Sequence, residues 1–124
     1  MLNAAFDYLQ IPEELYQEVA LTGSSYICNP PVIDTDIDFV IYSQDWDNLH
    51  LWCEKNAFKT NFEDYVLEDF RSYKRGVINL IVTDDVTFYK RFVKATELAK
   101  QLNLLEKDQR VALFDFVMYE SNIV

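Results

Sequence analysis

Glycine and proline are scarce in this chain, two and three among 124 residues. A collagen-like repeat, a low-complexity tract and a flexible linker are excluded, because each depends on residues that interrupt regular structure. Each glycine therefore stands where the backbone needs one. Cysteine and histidine are also short: Cys28 and Cys53 lie far apart, and His50 stands alone. That is too little for a disulfide scaffold or a zinc site, and it leaves both thiols as buried core groups. No apolar run approaches the roughly 20 residues that span a bilayer, and no basic segment leads into an apolar one. A soluble cytoplasmic protein without membrane contact is expected.

Cations are the third shortage. Eleven Lys and Arg stand against 21 Asp and Glu, a formal charge of −10. Such a surface repels a phosphate backbone unless cations gather on one face or a metal intervenes, so broad nucleic-acid binding is disfavoured. Imitation of nucleic acid toward a basic partner stays open.

What the chain does have is apolar and aromatic bulk, half of its residues hydrophobic with nine Phe, eight Tyr and two Trp. That suffices for a core, and with no break in composition one domain over 1–124 is expected. Ile11-Pro12-Glu13-Glu14 predicts a helix start, with a short helix over about 12–18. Val19-Ala20-Leu21-Thr22 predicts a buried strand entering a tight turn at Gly23-Ser24-Ser25. After Asn29-Pro30-Pro31, Asp36-Ile37-Asp38-Phe39-Val40-Ile41-Tyr42 predicts a second strand. Its alternation puts Asp36, Asp38 and Val40 on one face and Ile37, Phe39 and Ile41 on the other.

Trp46, Leu49 and Cys53 repeat at helical spacing behind Asp45, so 45–58 reads as an amphipathic helix. Tyr65 to Tyr73 and Val77 to Val82 read as strands of a hairpin closed by Lys74-Arg75-Gly76. Two helices, at about 85–101 and 106–120, end the chain: Phe88, Phe92, Ala95, Ala99 and Leu102 mark the first, Val111, Phe114, Val117 and Met118 the second. Asp84 and Asp85 sit where a helix begins and are read as caps before substitute carboxylates. The order predicts an α+β fold, a small mixed sheet with helices packed on it.

The chemistry is concentrated in Gly23-Ser24 and, after eleven intervening residues, Asp36-Ile37-Asp38-Phe39. A glycine lets a backbone approach phosphates without a Cβ, and Ser24 with the N–H groups that follow can donate to their oxygens. Two carboxylates at i and i+2 of a strand project from one face, close enough to share a hard divalent ion such as Mg²⁺. Either part alone is unspecific, since strand-ending Gly-Ser turns and solvated acids are common. Strands are depleted in Asp, and clustered acids repel one another without a compensating cation.

The pairing resembles the nucleotidyltransferase superfamily, whose pattern is an apolar strand, Gly-Gly or Gly-Ser, a spacer, then acid, apolar, acid, apolar. The resemblance implies a nucleotidyltransferase-like fold, metal ligation by Asp36 and Asp38, and a nucleoside triphosphate held by Gly23, Ser24 and Ser25. The superfamily's third acid falls at Asn79, in Val77-Ile78-Asn79-Leu80-Ile81-Val82. An amide coordinates through its oxygen but brings neither negative charge nor a base. Asn79 thus reads equally as a relic of that acid, completing a catalytic set with Asp36 and Asp38, or as a sheet residue whose amide serves the backbone.

Ser72-Tyr73-Lys74-Arg75-Gly76, Asn79-Leu80-Ile81-Val82-Thr83 and Lys107 to Phe114 resemble small nucleotidyltransferase-like proteins of tailed bacteriophages, which implies a host cytoplasm. Minimal nucleotidyltransferase antitoxins continue the turn with arginines, where this chain has Ser25-Tyr26-Ile27-Cys28. Lys74 and Arg75, with Arg71, are placed to reach a triphosphate or an acidic partner, unless the hairpin turn is simply solvated. Lys107 and Arg110, one helical turn apart, are read as surface ion pairs before an anion contact.

Three functions follow as expectations. The preferred one is Mg²⁺-dependent transfer of a nucleoside monophosphate from an NTP to a protein or nucleic-acid hydroxyl. The others are a catalytically impaired protein of the same fold that binds a host or phage protein, and an acidic nucleic-acid mimic.

Overall fold

The structure, a computed structural model, describes residues 4–30, 36–60 and 70–120. Among the described residues five strands form one mixed sheet: β1 (Glu18–Thr22), β2 (Ile37–Tyr42), β3 (Lys59–Thr60), β4 (Arg71–Arg75) and β5 (Ile78–Thr83), in the order β1-β2-β5-β4-β3. Only β2 and β5 run parallel; the other neighbours are antiparallel. The parallel pair is central, so whatever β2 and β5 carry at matching positions meets in the middle of the sheet. The helices are α1 (Ala4–Leu9), α2 (Ser24–Ile27), α3 (Trp46–Lys55), α4 (Val86–Gln101) and α5 (Lys107–Asp115). A π-helical turn over Phe116–Glu120 follows α5.

One face of the sheet is a sealed core. Phe39 and Ile41 of β2 and Leu80 and Val82 of β5 pack with Tyr73, against Phe6 and Leu9 of α1 and Leu49 and Cys53 of α3. Burial pushes the Cys53 thiol up to about 12, an inert packing group. Both cysteines are free and buried, as expected of core thiols. On the opposite face α4 packs across β1, β2 and β5, and α2 rests on the ends of β1 and β2. There Asp85 caps α4, its carboxylate accepting from the N–H groups of Thr87 at 2.9 Å and Phe88 at 3.3 Å.

The segment expected as a helix over 12–18 is shorter, a 3-10 turn over Glu13–Leu15. Tyr16 is already extended, and the Gln17 N–H donates to Tyr42 O at 2.9 Å. Pairing with β2 therefore claims the residues a longer helix would need, and one isolated helical turn does not compete with a sheet ladder. The expected hairpin forms between β4 and β5, but Lys74 and Arg75 belong to the paired strand and the turn is Gly76-Val77, with Gly76 at φ +59 supplying its left-handed conformation. Its first strand is described only from Phe70, so the part expected at 65–69 lies outside the described residues. Neither α1 nor the two-residue β3 was anticipated, for the first is one and a half turns long and the second exists only by pairing with β4.

Candidate functional site

β1 ends at Thr22, and Gly23 turns the chain into α2. Gly23 has φ +78 and ψ 174, a conformation that side chains disfavour strongly. A second constraint is steric: a Cβ on Gly23 would collide with Oδ2 of Asp38. The close approach that the glycine permits is thus, first of all, the approach of this chain's own carboxylate.

The turn is held from above and behind. Thr96 Oγ1 of α4 donates to Phe92 O at 2.8 Å, which leaves the buried Thr22 hydroxyl to donate to Thr96 Oγ1 at 2.8 Å. The Lys100 ammonium donates to Tyr26 O at 2.8 Å and lies over the Tyr26 ring. The Tyr26 hydroxyl in turn donates to Glu97 at 2.9 Å. Through these bonds α4 sets the position of Gly23 and Ser24 relative to the sheet.

Strand register assembles the rest. Asp38 of β2 stands beside Asn79 of β5, and Asn79 stands beside Lys74 of β4, so three neighbouring strands present a carboxylate, an amide and an ammonium in a row. Asn79 Oδ1 accepts from the Ser72 hydroxyl at 3.0 Å. Its NH₂ is thereby turned to Asp38, to which Asn79 donates. Lys74 Nζ reaches diagonally to Asp36 Oδ2 at 2.9 Å, a half-exposed ion pair. Burial pushes the Asp38 carboxyl up to about 6 from its ordinary 3.8; the Asn79 hydrogen bond lowers it, Asp36 raises it, and Lys74 lowers it.

Beside this row opens a cleft of about 600 Å³. Gly23, Ser24, Asp38 and Ile81 form its sheet-side wall, while Phe92 of α4 and Lys107, Arg110, Val111 and Phe114 of α5 face them. Phe70, Phe88, Phe92 and Phe114 make a continuous row of ring contacts along α4 into that wall.

Of the residues singled out from sequence, Gly23, Ser24, Asp36, Asp38, Asn79 and Lys74 converge. Ser25 lies one residue into α2 and does not line the cleft. Arg75 is turned to the other face, where its guanidinium donates to Asn56 O at 2.8 Å and stacks on Phe58. Arg71 lies over the Trp46 ring at 4.3 Å, in a separate polar hollow with Asp45, Asp47 and Asp84.

The preference for surface ion pairs at Lys107 and Arg110 does not hold among the described residues. Arg110 donates to the carbonyls of Leu104 at 3.0 Å and Leu105 at 2.8 Å, closing the bend between α4 and α5, and both cations border the cleft. Sequence reasoning missed Ser72, Thr22 and Thr96. Their signal was a small polar side chain at an inward-facing position, and each is buried and hydrogen-bonded.

Among the described residues no three His, Cys, Asp or Glu side chains are grouped to hold a metal, and no helix is long and apolar enough to cross a membrane.

No protein-family model matches the chain, and no curated protein is significantly similar to it in sequence. A solved structure described as the crystal structure of conserved protein GrpB from Enterococcus faecalis is similar in fold. The TM-score is 0.58 at 19% identity, over 96% of this chain and 82% of that one. At that identity the likeness is one of fold, and the α+β architecture expected from the sequence, a small mixed sheet with helices packed on it, is the one found.

Proposed function

We propose that the protein binds a nucleotide in the cleft beside the Gly23-Ser24 turn and does not carry out metal-dependent transfer. The observation behind this is the orientation of Asn79. A two-carboxylate site for Mg²⁺ works through negatively charged oxygens that converge on the ion. Here the third position offers an NH₂ group to Asp38, its amide oxygen is engaged by Ser72, and Asp36 faces an ammonium. That donor set does not fit a hard divalent cation, and the position that should supply a base is an amide.

The cleft does fit a nucleotide. Its volume lies within the range of small-molecule sites, roughly 300–1,000 Å³. Ile27, Ile81, Phe92, Val111 and Phe114 offer an apolar and aromatic surface to a base, and Ser24, Lys107 and Arg110 offer donors to phosphate.

A second reading, nucleoside monophosphate transfer with Asp36 and Asp38 as metal ligands, draws support from the persistence of both aspartates on the face of the turn. One pair of measurements separates the two. Titration calorimetry with each NTP and NMP, in EDTA and in excess Mg²⁺, is expected to give binding for at least one nucleotide, with a Kd that does not depend on the metal. Incubation with radiolabelled NTP and cell extract is expected to give no labelled product; label transfer that Asp38→Asn abolishes would establish the second reading instead.

A further inference from the structure

We infer that Lys74 takes the place of a cation at this site and Asn79 that of a third carboxylate, so that Asp36 and Asp38 are satisfied by the chain itself. The inference deepens the reading above of the same site, but rests on the fit of its side chains and not on the identity of any ligand.

Carboxylates at i and i+2 on one strand face repel each other, and burial of Asp38 sharpens the repulsion. Something positive must lie nearby for both to ionise. Register supplies it from within: β4 sits one strand beyond β5, and Lys74 is the residue of β4 that stands level with Asn79. From there its side chain reaches Asp36 at 2.9 Å. Lys74 alternates with Tyr73 and Arg75, both committed to the other face, so a hairpin shifted by one residue would bring no ammonium here.

Asn79 completes the arrangement. Its amide has one orientation that satisfies both neighbours, Oδ1 to the Ser72 hydroxyl and NH₂ to the Asp38 carboxylate. The flipped amide would set two acceptors against each other at Asp38. An acid at position 79 would add a third negative charge beside Asp38 and lose the donor, which only a metal ion would offset. The two departures from a metal site therefore belong together: an ammonium replaces the ion, and an amide replaces the ligand that the ion would have required.

The consequence is a metal site two substitutions away. Binding of Mn²⁺, without any nucleotide, is followed by the electron paramagnetic resonance signal of the free ion at about 0.15 M salt, which screens diffuse attraction to the acidic surface. The wild type is expected to bind Mn²⁺ no better than Asp36→Asn/Asp38→Asn. Lys74→Gln/Asn79→Asp is expected to bind it at least ~10-fold more tightly than the wild type, three carboxylates now converging without an ammonium.

Binding by the wild type that disappears in Asp36→Asn/Asp38→Asn would overturn the inference. So would a double variant, folded by circular dichroism, that binds no better than the wild type. Should that variant not fold, Lys74→Gln alone changes only a half-exposed side chain; a gain of roughly 3-fold is expected, and none would equally overturn the inference. Since no nucleotide is present, failure here leaves the nucleotide titration to be judged on its own result.

Discussion

β2 presents Phe39 and Ile41 to one side of the sheet and Asp38 and Val40 to the other, and the two sides are organised on opposite terms. Toward α1 and α3 the sheet buries rings and aliphatic chains in a layer where Phe39, Ile41, Leu49 and Leu80 have no exposure at all. Toward α4 and α5 the same strands carry a carboxylate, an amide and buried hydroxyls, each held by a named hydrogen bond, and beside them a cleft is left open. The first face stabilises by removing apolar surface from water. The second keeps a polar group where packing would favour a hydrophobic one, which is how a stable scaffold holds a site.

Substitutions on the two faces should differ in sign as well as size. The largest effect is expected on the sealed face, where Phe39→Ala leaves a cavity in the middle of the sheet and costs about 3–5 kcal/mol, read from urea unfolding. Gly23→Ala follows, at about 1–3 kcal/mol, since it meets both the unfavourable φ and the Asp38 carboxylate. Removing that carboxylate as well, in Gly23→Ala/Asp38→Ala, should recover only part of the loss, because the φ remains. Full recovery would mean that the collision alone holds residue 23 to glycine.

The smallest effect runs the other way. The folded Asp38 carboxyl, held up to about 6, takes up its proton more readily than in the unfolded chain at 3.8. Its contribution to stability is therefore fully present below about pH 4 and lost as pH rises through about 6. Asp38→Asn cannot ionise and keeps a partner for Asn79, so its stability relative to wild type should grow over that window, by about 1 kcal/mol at pH 7 once solvent screening of this partly exposed carboxyl is allowed for. Thermal melts at several pH values would show it, and a variant less stable than wild type at pH 7 would place Asp38 among the structural acids.

Much of this comparison was legible in the sequence. Alternation in 36–42 separated the two faces of β2 correctly, and the Gly-Ser turn with its aspartates named the corner of the sheet where polar groups meet. Helices α3, α4 and α5 were visible because each repeats apolar residues at helical spacing over two or more turns. The short helix before β1 was misjudged because Pro12 and two glutamates mark a helix start, while the sheet pairing that ends it comes from Tyr42, distant in sequence.

Within the site, the contacts that decide its chemistry depend on strand register and on how the chain bends between elements. That Lys74 meets Asp36 while Arg75 stacks on Phe58 depends on the register of β4, which a string of basic residues at a hairpin does not disclose. Arg110 gave no local sign that it would close the bend after α4 and not pair with an acid. Asn79 was visible as a departure, but its meaning depended on Ser72, seven residues away on the partner strand.

The fit of Asp38 into the space left by Gly23 also bears on how the chain can diverge. Residue 38 is free to shrink while residue 23 stays glycine, but residue 23 cannot acquire a side chain first without collision. The two positions are thus epistatic in one direction. Descendants that have lost the aspartate should still show the glycine, because the left-handed φ of the turn outlasts the collision.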